Sequence, residues 1–416
     1  MSDKSRGANE AVTGGANGAV TCGVTGVAGI KVGNAQNLLG LTGITVVLCE
    51  KGAVGSVQIF GGAPGTRETD LLRSSCTVDT VHAVFLAGGS AFGLNAAEGV
   101  VRYLEERKIG FDAGLAKIPI VPGAIIFDLG VGNPASRPTP DMAYRACTEA
   151  SSERPKSGNV GAGAGATVGK LMGPQHLMKS GLGNSSVRTP GGYTVGAILI
   201  VNAVGDVYDP ATGEIVAGAY DRENKRFLAS AIRKTDAGTG TRTDAGTSSG
   251  TRRRTCPGTG SGTGPGTCAG AGIGDVDPAT GATVARPARP GEPSRKWAPG
   301  TAENTTIGVI GTDCALSKDE CERVAVMAMG GLAQAVRPSF TPFDGDLLFV
   351  LSTGEKVAPA SDGNTVWTGR GLRGQLVAEI GIAAQQAVVL AILDAVRSAT
   401  GIPGIPAASD LHLSGA

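Results

Sequence analysis

The chain has 416 residues, enough for one large domain or two ordinary ones with a substantial core. Its 37 Lys and Arg against 36 Asp and Glu leave a formal net charge of +1, which removes any general electrostatic case for nucleic acid or an acidic membrane surface. Aromatics make up only 4% while glycine reaches 67 residues, a composition of close-packed small side chains, tight turns and at least one biased segment.

Residues 1–26 lack the apolar core of a signal peptide and read as a flexible N-terminal arm. Two β-branched runs follow, 44–48 (ITVVL) and 56–60 (SVQIF), each read as a strand, then a Gly-Pro loop at 61–66. A further strand at 82–86 ends on Gly88-Gly89, after which Ser90 is expected to cap a helix carrying Leu94, Ala97, Val101 and Leu104 on one face. Residues 124–128 and 197–201 read as buried strands.

Between them lies GNVGAGAGATVGK at 158–170, which invites a phosphate-loop reading and fails it. The required glycine is replaced by Ala164, and Leu171 after Lys170 carries no metal-binding hydroxyl. A GxGxxA match from Gly161 to Ala166 has no clear strand before it and no acidic ribose ligand after it. These glycines are better used to bring backbone close to a substrate or another segment, with Lys170 as a cation in a site.

From 233 to 300 the chain is Gly, Thr, Ser, Arg and Pro, with TDAGT at 235–239 and again at 243–247. It carries too little apolar surface to offset its ordering entropy and reads as a disordered insertion, with Arg252, Arg253 and Arg254 as a solvated charge cluster. Beyond it, 306–310 reads as a strand, and Ser317 with Glu320 forms a capping-box pattern for a helix to about Ala335. Residues 347–351 read as a strand and 374–399 as a long helix that is apolar on most sides. The strongly apolar part of that helix, 380–393, is shorter than the roughly 20 residues of a membrane span, and a soluble, cytoplasmic protein is expected. Strands and helices on both sides of the insertion predict one layered α/β domain, split in sequence rather than in space.

Eight scattered cysteines without CxxC spacing read as free thiols. His82, His176 and His412 sit in no metal or triad context, so no metal or organic cofactor is expected. The sharper chemistry begins at Glu303-Asn304-Thr305-Thr306-Ile307-Gly308-Val309-Ile310. Cut before Thr305, the chain would present a hydroxyl nucleophile with its own α-amine, whose pKa of roughly 7.7–8.0 suits a base near neutrality. Asn202, after the strand at 197–201, is a candidate oxyanion donor and Lys170 a candidate positive charge. Asp344-Gly345-Asp346 offers two carboxylates to orient the amine and the hydroxyl, and is also a good turn sequence in its own right. Thr139, between Pro138 and Pro140, is a candidate substrate-side hydroxyl.

These residues fall in six blocks: GGAPGTRETDLL at 61–72, LAGGSAFGLNAAEGV at 86–100, GNVGAGAGATVGK at 158–170, YTVGAILIVNAVGDV at 193–207, NTTIGVIGTDCALSK at 304–318 and DGDLLFVLST at 344–353. In this order they resemble the self-processing aminopeptidases typified by the L-aminopeptidase/D-amidase–esterase, and in site residues the nylon-oligomer (6-aminohexanoate oligomer) hydrolase branch. The resemblance spans nearly the whole chain outside the N-terminal arm and the insertion. It implies a four-layer αββα sandwich, convergent with the N-terminal-nucleophile hydrolases and formed by 27–232 plus 301–416. It implies one self-cleavage between Asn304 and Thr305, giving an α chain of 1–304 and a β chain of 305–416. It also implies a homo-oligomer of such pairs, often a tetramer.

By the same resemblance Thr305 is the nucleophile, Asn202 stabilises the oxyanion, Lys170 is the active-site lysine, and Asp344 and Asp346 are the acidic pair. Where relatives use a tyrosine, Thr139 is the aligned position here, with Tyr144 nearby as a substrate-binding candidate. The implied activity is hydrolysis of short peptides with a free N-terminal residue or of ω-amino-acid oligomers. Its rivals are acyl transfer of the ornithine-acetyltransferase type and a non-catalytic binding or scaffold protein.

Overall fold

The computed structural model describes residues 22–228, 304–357 and 369–412, without the side chains of 369, 370 and 412. Residues 1–21 of the expected arm and the whole 233–300 insertion, with Cys256, Cys268 and the arginines at 252–254, lie outside the described residues. Among those described, nine strands form one mixed sheet. They are β1 (Lys31–Asn37), β2 (Thr42–Ile59), β3 (Thr66–Arg67), β4 (Thr80–Ala87), β5 (Gly123–Ile125), β6 (Leu182–Arg188), β7 (Thr194–Asn202), β8 (Thr305–Cys314) and β9 (Leu347–Lys356). Their order is β6-β7-β8-β9-β2-β4-β5-β3, with β1 added along β2. Four helices matter to the layers: α1 (Ala97–Glu106), α2 (Pro140–Thr148), α3 (Lys318–Ala335) and α4 (Gly369–Ser398).

The runs at 44–48 and 56–60 are one strand rather than two. The first part of β2 pairs with β1 and the last part with β9. Between them Gly52, at φ 87°, and a register shift against β4 between Leu48 and Ala53 redirect the chain without ending the ladder. One strand therefore serves two halves of the sheet, which lie face to face.

Three apolar cores separate the layers. Val195, Ala197, Leu199 and Val201 of β7, with Leu348 and Val350 of β9, pack under Val324, Ala328 and Leu332 of α3 and Ala384, Val388 and Ala391 of α4. The alternate residues Ile198, Ile200, Ile307, Val309, Leu347 and Phe349 face Val47, Val84 and Leu86 of the other half. On the far side Ile44, Val46, Leu48 and Phe85 are covered by Val100 and Leu104 of α1 and Ala143 and Ala146 of α2. The result is the αββα sandwich, and β8, which follows the insertion, pairs along its length with β7, which precedes it. The described residues thus form a single domain, as expected, continuous across the break in sequence.

Local signals hold unevenly. Ser317 accepts from the Glu320 N–H, Glu320 accepts from the Ser317 N–H, and α3 ends at Ala335. Ser90 does not cap. Its φ is 53°, its N–H is taken by Ile126 O, and a 3-10 turn from Ser90 to Ala96 precedes α1. The long helix outruns its apolar centre: Gly371–Ser398 is long and apolar enough, by length and composition, to cross a membrane. Here it is a packed layer on α3, β6 and β7.

Candidate active site

Thr305 opens β8 and Asn202 closes β7, and the two are register partners across the antiparallel pair. Alternation puts Thr305 on the face of Ile307 and Val309, and Asn202 on the face of Ile198 and Ile200. Both side chains therefore look into the space between the sheet halves, at the end of the inner core. Both are buried.

Lys170 reaches this place from the Gly-rich run. Gly161–Gly165 is a buried 3-10 turn. A Cβ at Gly161 would lie 2.2 Å from Asn34 Oδ1, and one at Gly163 would lie 2.2 Å from the Leu182 backbone nitrogen, so these glycines permit close backbone approach. The Lys170 N–H donates to Val204 O at 2.9 Å, tying the lysine to the loop after β7. Its Nζ donates to Asn202 O at 2.9 Å and to Asn202 Oδ1 at 2.7 Å. The Thr167 N–H donates to the same Oδ1 at 3.1 Å, while Asn202 Nδ2 donates to Phe127 O at 3.0 Å. Two donors at one end of the amide fix which end is oxygen.

The acidic turn approaches from the other side. Asp346 accepts the Thr306 N–H at 2.6 Å and the Phe340 N–H at 3.0 Å, one on each carboxylate oxygen. Asp344 accepts the Thr341 N–H at 2.7 Å on Oδ2, and its buried Oδ1 has no partner among the described residues. Asn304 forms a parallel bridge to Asp344, and the Gly345 N–H donates to Asn304 O at 2.9 Å. The Thr305 hydroxyl donates to that same carbonyl oxygen. A Cβ at Gly345 would lie 2.8 Å from Thr305 Oγ1, so this approach requires glycine.

Burial dominates the electrostatics. It pushes the Asp346 carboxyl up to about 7, helped by the neighbouring Asp344, while the Thr306 and Phe340 N–H groups and Lys170 pull the other way. Asp344 is raised by burial against Thr341 and Lys170. Asp128, which accepts from Thr42 Oγ1 and the Gly89 N–H at 2.7 Å each, is also raised by burial and opposed in part by Lys170. A buried charge costs several kcal/mol, against the roughly 1.5–3 kcal/mol that burying one apolar side chain contributes. A cluster of three carboxyls and a lysine at the end of an apolar core is therefore hard to account for by stability alone.

Of the residues named from sequence, Thr305, Asn304, Asn202, Lys170, Asp344 and Asp346 come together. Thr139 and Tyr144 do not join them by any described hydrogen bond. Thr139 is the N-cap of α2 and accepts from the Met142 N–H, and the Tyr144 hydroxyl donates to Glu106 at 2.7 Å. The Tyr144 ring lies edge-on to Tyr103 with Arg102 above it, in the outer helical layer. Three participants escaped the sequence reading: the Gly345 N–H, the Thr167 N–H and Asp128. Gly345 is visible in the sequence only as the middle of a turn, and nothing there marks a backbone donor or a lone Asp.

A model of Peptidase family S58 matches residues 23–408. An uncharacterised aminopeptidase of Mycobacterium tuberculosis (strain ATCC 25618 / H37Rv) is 38% identical over 400 residues, covering 93% of this chain and 97% of its own. A 6-aminohexanoate-oligomer endohydrolase of Kocuria sp. (strain KY2) is 27% identical over 369 residues, covering 89% and 84%. Whole-chain identity is thus higher to the mycobacterial protein than to the Kocuria enzyme. The solved structure of an L-aminopeptidase D-Ala-esterase/amidase from Ochrobactrum anthropi aligns with a TM-score of 0.58 at 16% identity, covering 94% of this chain and 93% of that one, a likeness of fold. On the family match and the near end-to-end relative, this chain belongs to peptidase family S58, whose chemistry is amide-bond hydrolysis.

Proposed function

We propose that this chain is the precursor of an amide-bond hydrolase that cuts itself between Asn304 and Thr305 and then uses Thr305 as its nucleophile. The observation that carries the proposal is the shared carbonyl: the Thr305 hydroxyl and the Gly345 N–H both bond to Asn304 O. In the first stage Thr305 Oγ attacks the Asn304 carbonyl carbon. Negative charge gathers on Asn304 O, where the Gly345 N–H already points. The C–N bond breaks, the hydroxyl proton passes to the departing nitrogen, and the acyl group rests on Oγ as an ester. Water hydrolyses the ester, leaving a carboxylate on Asn304 and a free amine on Thr305.

In the mature enzyme that amine, close to neutral in pKa, takes the proton from Oγ as a substrate amide is attacked. Asn202 serves the substrate oxyanion, and Lys170, Asp344 and Asp346 set the charge around the amine. The names of the mycobacterial and Kocuria relatives support peptides with a free N-terminal residue and short ω-amino-acid oligomers as substrate classes. The mature particle is an oligomer of α and β chains.

Denaturing electrophoresis of the purified protein tests the first stage: two bands, with Thr305 at the N-terminus of the smaller, support it, and a single band from active protein overturns it. A panel of aminoacyl nitroanilides, β-peptides and 6-aminohexanoate oligomers tests the second, and size-exclusion chromatography the assembly.

A further inference from the structure

Lys179 is fully buried and plays no part in the mechanism above. Its Nζ donates to three backbone carbonyls, Gly163 O at 3.0 Å, Ala166 O at 3.0 Å and Ser180 O at 2.5 Å. All three ammonium protons are thereby used. Two of the acceptors belong to the Gly-rich turn and its exit. Ala166 O also receives the Ser180 N–H at 3.0 Å, and Thr167 pairs with Lys179 in a two-residue ladder. The next donor along the chain is the Thr167 N–H, which is aimed at Asn202 Oδ1. Burial pulls the Lys179 amine down to about 7, with the Asp128 carboxylate opposing. A methionine would fill similar volume without the desolvation penalty. What a methionine lacks is the cation on which the carbonyls of a glycine turn, free to adopt other conformations, converge.

We propose that Lys179 is a positioning residue: it locks the 163–167 backbone so that the Thr167 N–H, together with Lys170, holds the Asn202 amide with its nitrogen turned away from them. The inference rests on the assignment of Asn202 to the reaction centre. Without Lys179 the carbonyls of Gly163 and Ala166 lose the donor that joins them and keep only the Ala166 and Ser180 N–H groups, the turn relaxes, and Asn202 keeps one of its two described orienting donors.

The test combines a readout independent of activity with a kinetic cycle. In protein labelled with 15N at asparagine, the Asn202 side-chain amide is expected to exchange its protons at least tenfold faster in Lys179→Met than in the parent. Unchanged exchange in a folded variant overturns the proposal, whether or not the protein proves to be a hydrolase. With an aminoacyl nitroanilide, Lys179→Met is expected to lower kcat ten- to a hundredfold while KM stays within twofold. In an Asn202→Ala background the same change is expected to cost less than twofold. Equal losses in both backgrounds, or a loss of thermal stability alone, would make Lys179 merely structural. If Lys179→Met does not fold, Lys179→Gln, which keeps two N–H donors, takes its place in the same cycle: a smaller loss in the Asn202→Ala background supports the proposal, and equal losses overturn it. Absence of self-cleavage in the parent chain would instead count against the Thr305 reading and leave the exchange result standing.

Discussion

Asn202 and Thr305 are cross-strand partners, the last residue of β7 opposite the first residue of β8. Such a pair places the two Cβ atoms roughly 4.5–5.5 Å apart, within reach of one reacting carbonyl. The backbone ladder thus sets the distance between the proposed nucleophile and the amide, and side chains set only their orientation. Because the pair spans the insertion, the site exists only when the segments before and after residues 233–300 have folded together.

Thr305→Ala is expected to leave one uncut chain with no hydrolytic activity. Thr305→Ser, which keeps the hydroxyl, is expected to cut at the same bond. N-terminal sequencing of the smaller fragment checks both. A first residue of Thr306 would move the nucleophile by one position.

Gly345→Ala adds a Cβ 2.8 Å from Thr305 Oγ1 and 3.0 Å from Ala63 O. Relieving that overlap shifts the turn and draws its N–H away from Asn304 O. Self-cleavage is expected to slow by about a hundredfold, in line with the loss of an oxyanion donor. The accompanying loss of stability is about 1–3 kcal/mol. A cleavage time course and a melting curve separate the two effects.

Asp346 carries a raised carboxyl, so the folded state holds its proton more tightly than the unfolded chain does. The stability this contributes is full below the ordinary value of 3.8 and is lost as pH rises through about 7. Asp346→Asn cannot ionise. Its melting temperature is therefore expected to fall less steeply between about pH 4 and 7 than that of the parent. Parallel slopes would show that Asp346 titrates normally.

Lys170 favours the ionised forms of both Asp344 and Asp346. Lys170→Met is expected to raise both carboxyls further, moving the upper end of that stability loss above pH 7. It also removes one donor from Asn202 Oδ1, and activity is expected to drop about a hundredfold. Melting temperature against pH and kcat on one substrate are the measurements.

Thr139→Ala removes the α2 cap, at a cost of about 1 kcal/mol. A lower melting temperature with kcat/KM unchanged within twofold is expected. A several-fold rise in KM would return Thr139 to substrate binding.

Much of the layering is legible in the sequence because short continuous apolar runs record burial directly. The runs at 197–201 and 347–351 have both faces covered and are correspondingly apolar throughout. The capping box at Ser317 and Glu320 is a local device, and local pattern suffices to find it. The continuity of β2 through Gly52 is not legible, because the strand exchanges its partner from β1 to β9 there, which no local pattern encodes. Ser90 misleads for a similar reason: Asp128 and Ile126 hold the Gly89 and Ser90 N–H groups from a distance, and that overrides the capping preference.

The sequence alone set the order of the blocks and, through their resemblance to a known family, offered Thr305, Asn202, Lys170, Asp344 and Asp346 as candidates, since residue type and position are properties of a line. The tertiary structure alone decided that the Gly345 N–H meets the Asn304 carbonyl, that Lys179 braces the glycine turn, and that Thr139 and Tyr144 belong to an outer helix. Those are matters of where separate segments converge and how far burial shifts a charge. They follow from packing across long separations, which spacing along the chain does not record.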